Sequence, residues 1–103
     1  MTAHAVFITH RTRPGMRDAV RDVWLRHMAP AVAGNAGHLA YFYCFDEADG
    51  DVLRVFQLYA DAAAAAAFLD HPNYAAYLAE VEGLLADAPQ VHAASPQWIK
   101  PAR

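Results

Sequence analysis

The sequence predicts an α+β domain whose strands and helices follow one another in the order β-α-β-β-α-β. Three observations predict it. The hydrophobic period changes from about two residues to about 3.6 and back along the chain, and clear turn signals separate the segments. The 103 residues suffice for one ordinary core but not for two. We therefore expect a single domain over residues 1–103.

The first strand and helix occupy the N-terminal third of the chain. Residues 4–12 are apolar and β-branched, and they end at the turn signal Arg13-Pro14-Gly15. From Met16 the spacing becomes helical, and residues 34–37, with two glycines, end the helix. The predicted apolar face of this helix comprises Met16, Val20, Val23, Trp24, His27 and Ala31.

A predicted hairpin follows the helix. Residues 38–46 and 52–60 are two strands rich in aromatic and aliphatic side chains. The segment between them contains Asp49-Gly50, a strong hairpin signal.

Two short helices and a last strand complete the pattern. Asp61 is a natural N-cap for the Ala-rich segment, and Pro72 is suited to the first position of the next helix. Pro89 ends that helix, and residues 90–99 form the last strand. This order is the ferredoxin-like arrangement, an antiparallel sheet with its helices on one side.

Both faces of the predicted hairpin are apolar. One face carries Leu39, Tyr41, Tyr43 and Phe45, and the other carries Ala40, Phe42 and Cys44. An antiparallel sheet usually leaves one face in water, and helices on one side cover only one face. We therefore expect a homodimer in which a second copy covers the other face.

Composition argues against several classes of partner. The net charge is −3 and the arginines are scattered, which argues against nucleic acid binding. No uninterrupted apolar run is long enough to span a membrane, and the N-terminus lacks a signal-peptide pattern, so we expect a cytoplasmic protein. The single cysteine, Cys44, excludes an intrachain disulfide framework. The histidines lack metal-site spacing, so we expect no bound metal.

Four segments carry a resemblance to a known family: residues 11–15, 37–38, 57–61 and 68–74. With these motifs the chain resembles the antibiotic biosynthesis monooxygenase family, in particular its quinol monooxygenase-like branch of dimeric α+β barrels. The resemblance implies a cofactor-independent monooxygenase that oxidises a quinol, phenol or polyketide-like aromatic with O₂. The sequence contains no glycine-rich phosphate loop and no flavin motif, which agrees with the expected absence of a cofactor.

The chain departs from the family at three positions. Gln57, Tyr59 and Phe68 stand where the family commonly has Glu, Trp and His. The haem-degrading branch also needs an Asn on the first strand and a His on the last helix, where this chain has Ile8 or Thr9 and Leu78. We therefore expect no haem degradation. The same losses would suit a non-catalytic small-molecule-binding protein, which is the alternative function.

The expected site combines a base, an orienting pair and an aromatic wall. His27 is the candidate base, because imidazole titrates near neutral pH; a core imidazole bonded to a carbonyl is the alternative. Tyr59 and Gln57 are expected to orient the substrate, or else simply to pack in the core. The expected substrate-binding residues, each of which could instead be ordinary core or an inert buried side chain, are Thr9, Trp24, Phe42, Cys44, Val55, Phe68 and Tyr74.

Overall fold

The computed structural model describes residues 2–101, and its element order confirms the predicted ferredoxin-like α+β class. The strands are β1 (His4–Arg11), β2 (His38–Phe45), β3 (Val52–Tyr59) and β4 (Gln90–Ala94). The helices are α1 (Arg17–Ala33), α2 (Ala62–Phe68) and α3 (Pro72–Val81), and α3 continues into a 3-10 turn at Glu82–Leu84.

The four strands form one antiparallel sheet in the order β2-β3-β1-β4. The last strand is shorter than predicted: it ends at Ala94 rather than at residue 99. Pro96 lies just beyond it, and a proline cannot donate a hydrogen bond to a neighbouring strand.

A bulge interrupts the start of β2. His38 pairs with Tyr59 and Ala40 pairs with Leu58, so Leu39 is an extra residue without a partner in β3. Leu39 is 58% exposed, and its expected place on the same face as Tyr41 is therefore wrong. The bulge leaves His38 on the helix-covered face of the sheet.

The start of α1 is tied to the loop of the β2–β3 hairpin. The Arg17 guanidinium Nη1 donates to the carbonyl oxygens of Asp46, Asp49 and Val52 at 2.9–3.0 Å. Gly15 takes a φ of +77°, which a residue with a side chain rarely adopts. These contacts fix the end of the helix that lies beside the sheet.

The predicted helix starts in the second half are confirmed. The Asp61 side chain accepts a hydrogen bond from the Ala64 backbone N–H at 2.7 Å and caps α2. Pro72 occupies the first turn of α3, and His71 Nδ1 accepts from the Asn73 N–H at 3.0 Å.

The core lies between the helices and one face of the sheet, and the other face is open. The centre of the core is formed by Val20, Trp24, Met28, Leu53, Val55 and Val81. On the open face Phe56 contacts Phe7 and Phe42 with ring centroids 5.1 and 5.7 Å apart. Phe42 is 58% exposed. Within residues 2–101, no helix is long and apolar enough to cross a membrane.

Candidate active site

A cavity of about 630 Å³ lies between the helix-covered face of the sheet and the helices. Strands β1, β2 and β3 form its floor, while α1, α2, α3 and the segment before β4 form its walls. Six of the residues expected in the site line it: Gln57, Tyr59, Trp24, Val55, Phe68 and Tyr74.

Three expected substrate-binding residues lie elsewhere. Thr9, Phe42 and Cys44 line a smaller depression on the open face of the sheet. Side chains alternate between the faces of a strand, so Phe42 and Cys44 cannot share a face with Tyr41 and Tyr43. Their expected place in the same cavity as Trp24 is therefore wrong.

His27 also lies outside the cavity, at the surface between α1 and α3. Its Nε2 is 2.6 Å from Glu80 Oε1, and Arg26 donates to the same carboxylate at 2.7 Å. The hydrogen bond from His27 and that from Arg26 hold the pKa of Glu80 below its ordinary value. The next residue, Met28, is buried and lines the cavity instead. A step of 100° per residue separates the two side chains, so the expected direction of His27 towards the sheet is wrong.

One end of the cavity is ordered by a chain of hydrogen bonds that starts at a backbone amide. The Gly37 N–H donates to Asn35 Oδ1 at 3.3 Å, which identifies the other amide atom as the donor Nδ2. Asn35 Nδ2 therefore donates to His38 Nδ1 at 2.8 Å. His38 must then carry its proton on Nε2, which donates to Gln57 Oε1 at 3.0 Å.

Gln57 is the last member of this chain and lines the cavity. Its Oε1 also accepts a hydrogen bond from the Tyr59 hydroxyl. Within residues 2–101 the Gln57 amide nitrogen forms no hydrogen bond, so its two N–H groups are free for a ligand. This end of the cavity therefore presents donors to an oxygen atom.

Burial keeps the polar groups at this end uncharged at neutral pH. Burial lowers the pKa of His38, and the hydrogen bond to Gln57 opposes that effect only in part. Burial raises the pKa of Tyr59 to about 12. The His38 ring packs against Tyr59 and Phe68, with centroids 4.3 and 4.5 Å away.

Two further polar groups of the cavity, His10 and the Tyr43 hydroxyl, are not among the residues predicted for the site. His10 is 9% exposed, and its Nε2 lies 3.1 Å from the backbone oxygen of Asp87. The Tyr43 hydroxyl is buried and has no hydrogen-bond partner in the described part of the chain. Strand alternation could have identified both, since they lie two residues from Ile8 and from Tyr41 on the same face. Among residues 2–101 no three His, Cys, Asp or Glu side chains are grouped to hold a metal ion.

Known proteins share this fold along its whole length. The antibiotic biosynthesis monooxygenase family matches residues 3–80. A protein of unknown function from Nitrosomonas europaea is 25% identical, with a TM-score of 0.84 over 100% of this chain and 97% of its own. A Mycobacterium tuberculosis protein is 26% identical, with a TM-score of 0.83 over 97% of this chain and 100% of its own.

A candidate antibiotic biosynthesis monooxygenase from Chloroflexus aurantiacus has the same fold at 21% identity. Its TM-score is 0.82, over 97% of this chain and 98% of its own. No curated protein matches the sequence. The family match spans more than half of the chain and confirms the resemblance carried by the four sequence motifs. The chain therefore belongs to the antibiotic biosynthesis monooxygenase family.

Proposed function

We propose that the protein oxidises an electron-rich phenol, quinol or polyketide-like aromatic with O₂ and without a bound cofactor. The observation that carries the proposal is the end of the 630 Å³ cavity, where the Gln57 amide is held with its N–H groups free. Membership of a monooxygenase family supports the reaction type.

The substrate itself can supply every electron that this reaction needs. In a phenol with an unsubstituted ortho or para C–H, one oxygen atom of O₂ replaces that hydrogen and becomes the second carbonyl of a quinone. The other oxygen atom leaves as water, with the two hydrogens that the substrate loses. No external reductant is required. The protein has to orient the ring, exclude water and accept a proton.

Gln57 and Tyr59 are the proposed orienting pair. The Gln57 amide donates to one oxygen of the substrate and holds the ring in the cavity. The phenolate is the form that gives an electron to O₂, so a base has to accept the proton of the reacting hydroxyl.

We propose further that a second copy of the chain covers the open face of the sheet. Phe7, Phe42 and Phe56 form a contiguous aromatic cluster there, and Phe7 is 46% and Phe42 58% exposed. Exposed clusters of this kind mark association surfaces, and the same face of a second copy is apolar as well.

The test is O₂ consumption with a panel of quinols, naphthols and polyketide phenols, without added flavin or metal. We expect uptake above the uncatalysed rate, and a fall in kcat/KM of about 2- to 10-fold in Gln57→Leu, the equivalent of about 0.5–1.5 kcal/mol for a hydrogen bond to a neutral oxygen. Gln57→Glu keeps the shape but replaces the donors by a carboxylate, and we expect a loss at least as large. No uptake with any substrate, despite saturable binding, would instead identify a binding protein.

A further inference from the structure

The cavity has a second polar end, formed by His10 at the far end of β1. His10 pairs with Leu53, whereas Gln57 pairs with Val6. Four residues along each strand separate these two pairs, which is about 13 Å at about 3.3 Å per residue. A ligand in the cavity can therefore meet Gln57 at one end and His10 at the other.

The hydrogen bond of His10 determines which of its ring nitrogens is basic. Nε2 lies 3.1 Å from the backbone oxygen of Asp87, and a carbonyl oxygen only accepts hydrogen bonds. Nε2 therefore carries the proton and Nδ1 carries the lone pair. Within residues 2–101 Nδ1 has no hydrogen-bond partner. His10 thus offers a basic atom that the fold does not use.

The Asp87 carbonyl is held in place by the backbone around it. The Ala86 N–H donates to the Arg11 carbonyl at 3.0 Å, and the Arg13 N–H donates to the Leu84 carbonyl at 2.9 Å. These bonds join the segment before β4 to the end of β1, which carries His10. The ring orientation is therefore fixed before a ligand arrives, as a base that must meet a substrate proton requires.

Most other candidate bases near the cavity have their lone pairs engaged or stay protonated, and the carboxylates of Glu82 and Asp87, which also line it, are exposed to water. Both ring nitrogens of His38 are engaged by Asn35 and Gln57. His27 faces Glu80 outside the cavity. Burial raises the pKa of Tyr77 to about 12, so its hydroxyl stays protonated at neutral pH.

We infer that His10 is the catalytic base of the proposed oxidation. Its role in turnover rests on the proposed function. Its Nδ1 takes the proton of a substrate hydroxyl at the end of the cavity remote from Gln57. The O–H bond breaks, an N–H bond forms at Nδ1, and the electron pair stays on the substrate oxygen. The resulting imidazolium still donates from Nε2 to Asp87, and the proton at Nδ1 returns to the oxygen atom that leaves as water.

The separation of the two ends favours a substrate longer than one ring. The Cα positions of His10 and Gln57 lie about 13 Å apart along the strands, and the side chains and the hydrogen bonds at each end, about 2.8 Å long, take up part of this distance. Two fused rings with oxygen atoms at opposite ends, as in 2,6-naphthalenediol, span more of it than one benzene ring with para hydroxyls.

The decisive variant is His10→Gln, whose side-chain amide can still donate to the Asp87 carbonyl but has no basic nitrogen. His27→Gln is the matched comparison, because it makes the same change at a histidine outside the cavity. With 2,6-naphthalenediol we expect kcat to fall by about 10²-fold or more in His10→Gln and to stay within about twofold in His27→Gln. A similar loss in both variants, or in His27→Gln alone, would overturn the assignment.

A binding measurement separates this inference from the proposed function. 6-Methoxy-2-naphthol, which has one acidic hydroxyl and one acceptor oxygen, is titrated without O₂, and its ionised form is followed by absorbance. We expect a several-fold larger phenolate fraction on the wild type and on His27→Gln than on His10→Gln. Equal fractions, or no binding to the wild type, would overturn the role of His10. If the phenolate fractions differ as expected but no O₂ is consumed, His10 remains the base of the site and the proposed monooxygenase activity is refuted.

Discussion

Replacement of His38 by Phe tests the hydrogen-bond chain that orders the cavity. The Phe ring can keep the contacts with Tyr59 and Phe68, whose centroids lie 4.3 and 4.5 Å from the imidazole. It cannot accept from Asn35 or donate to Gln57. Two hydrogen bonds worth about 0.5–1.5 kcal/mol each are lost. We therefore expect His38→Phe to lower the free energy of unfolding by about 1–3 kcal/mol and Tm by about 4–8 °C for each kcal/mol.

The two tryptophans make this change easy to follow. Trp24 is buried in the core and reports tertiary packing, whereas Trp98 is 75% exposed and contributes background. Urea unfolding followed by fluorescence in a Trp98→Phe background, at one fixed protein concentration, gives the free energies of both proteins. A difference below about 0.5 kcal/mol, the usual range of neutral surface substitutions, would mean that the chain does not order this end of the cavity.

The pH dependence supplies a second readout of the same variant. Burial lowers the pKa of His38 in the folded protein below the ordinary value of 6.5, so the unfolded chain binds its proton first as the pH falls. The free energy of unfolding is therefore highest above pH 6.5 and decreases as the pH falls from 6.5 through the lowered pKa. The groups in contact with the ring are the uncharged Asn35, Tyr41, Gln57 and Tyr59 and the apolar Phe68. We expect a smaller slope between pH 7 and 5 in His38→Phe, and an unchanged slope would refute this reasoning.

Four further outcomes follow from contacts described above. Tyr43→Phe removes a buried hydroxyl that has no partner among residues 2–101, so we expect it to raise the unfolding free energy by about 1 kcal/mol, measured by urea unfolding. Asp61→Ala removes the cap of α2, and we expect a loss of about 0.5–2 kcal/mol in the same assay. Sedimentation should give about twice the 11.3 kDa chain mass, and Phe56→Asp should give the single mass, because a buried unpaired charge is costly; a wild-type monomer would contradict the proposed dimer. Hemin with a reductant should keep its Soret band in the presence of the protein, and conversion to a bilin-like spectrum would contradict the residue matches on which this expectation rests.

Much of the fold could be predicted from local signals, because Asp61, Pro72 and the Asp49-Gly50 turn act over a few residues of chain. The site was harder to predict. On a helix, the side chains of neighbouring residues point in directions 100° apart. An apolar face that includes His27 instead of Met28 therefore predicts a core position for a histidine that lies at the surface. On a strand the alternation was clear, yet it does not say which face the helices cover. For that reason Phe42 and Cys44 were expected in the cavity.

The polar chemistry of the cavity depends on contacts between residues far apart in sequence. His10 meets the Asp87 carbonyl across 77 positions, and no spacing rule connects these two residues. The connection of Gly37 to Gln57 through Asn35 and His38 likewise needs the paired geometry of β2 and β3. The residue types at this end are known from the sequence, but which nitrogen atoms carry the protons follows only from the hydrogen bonds of the folded chain.

The extra residue in β2 has a consequence for how this segment compares with its relatives. Because Leu39 has no partner, a chain that lacks it could still set His38 opposite Tyr59, and the pairing from Ala40 onwards would be unchanged. If β2 kept Leu39 but had no bulge, Leu39 would pair with Tyr59, and the His38 ring would lie on the open face of the sheet. A one-residue gap at position 39 in an alignment would therefore preserve the cavity, whereas an alignment without that gap could pair this histidine with residues that face the other side of the sheet.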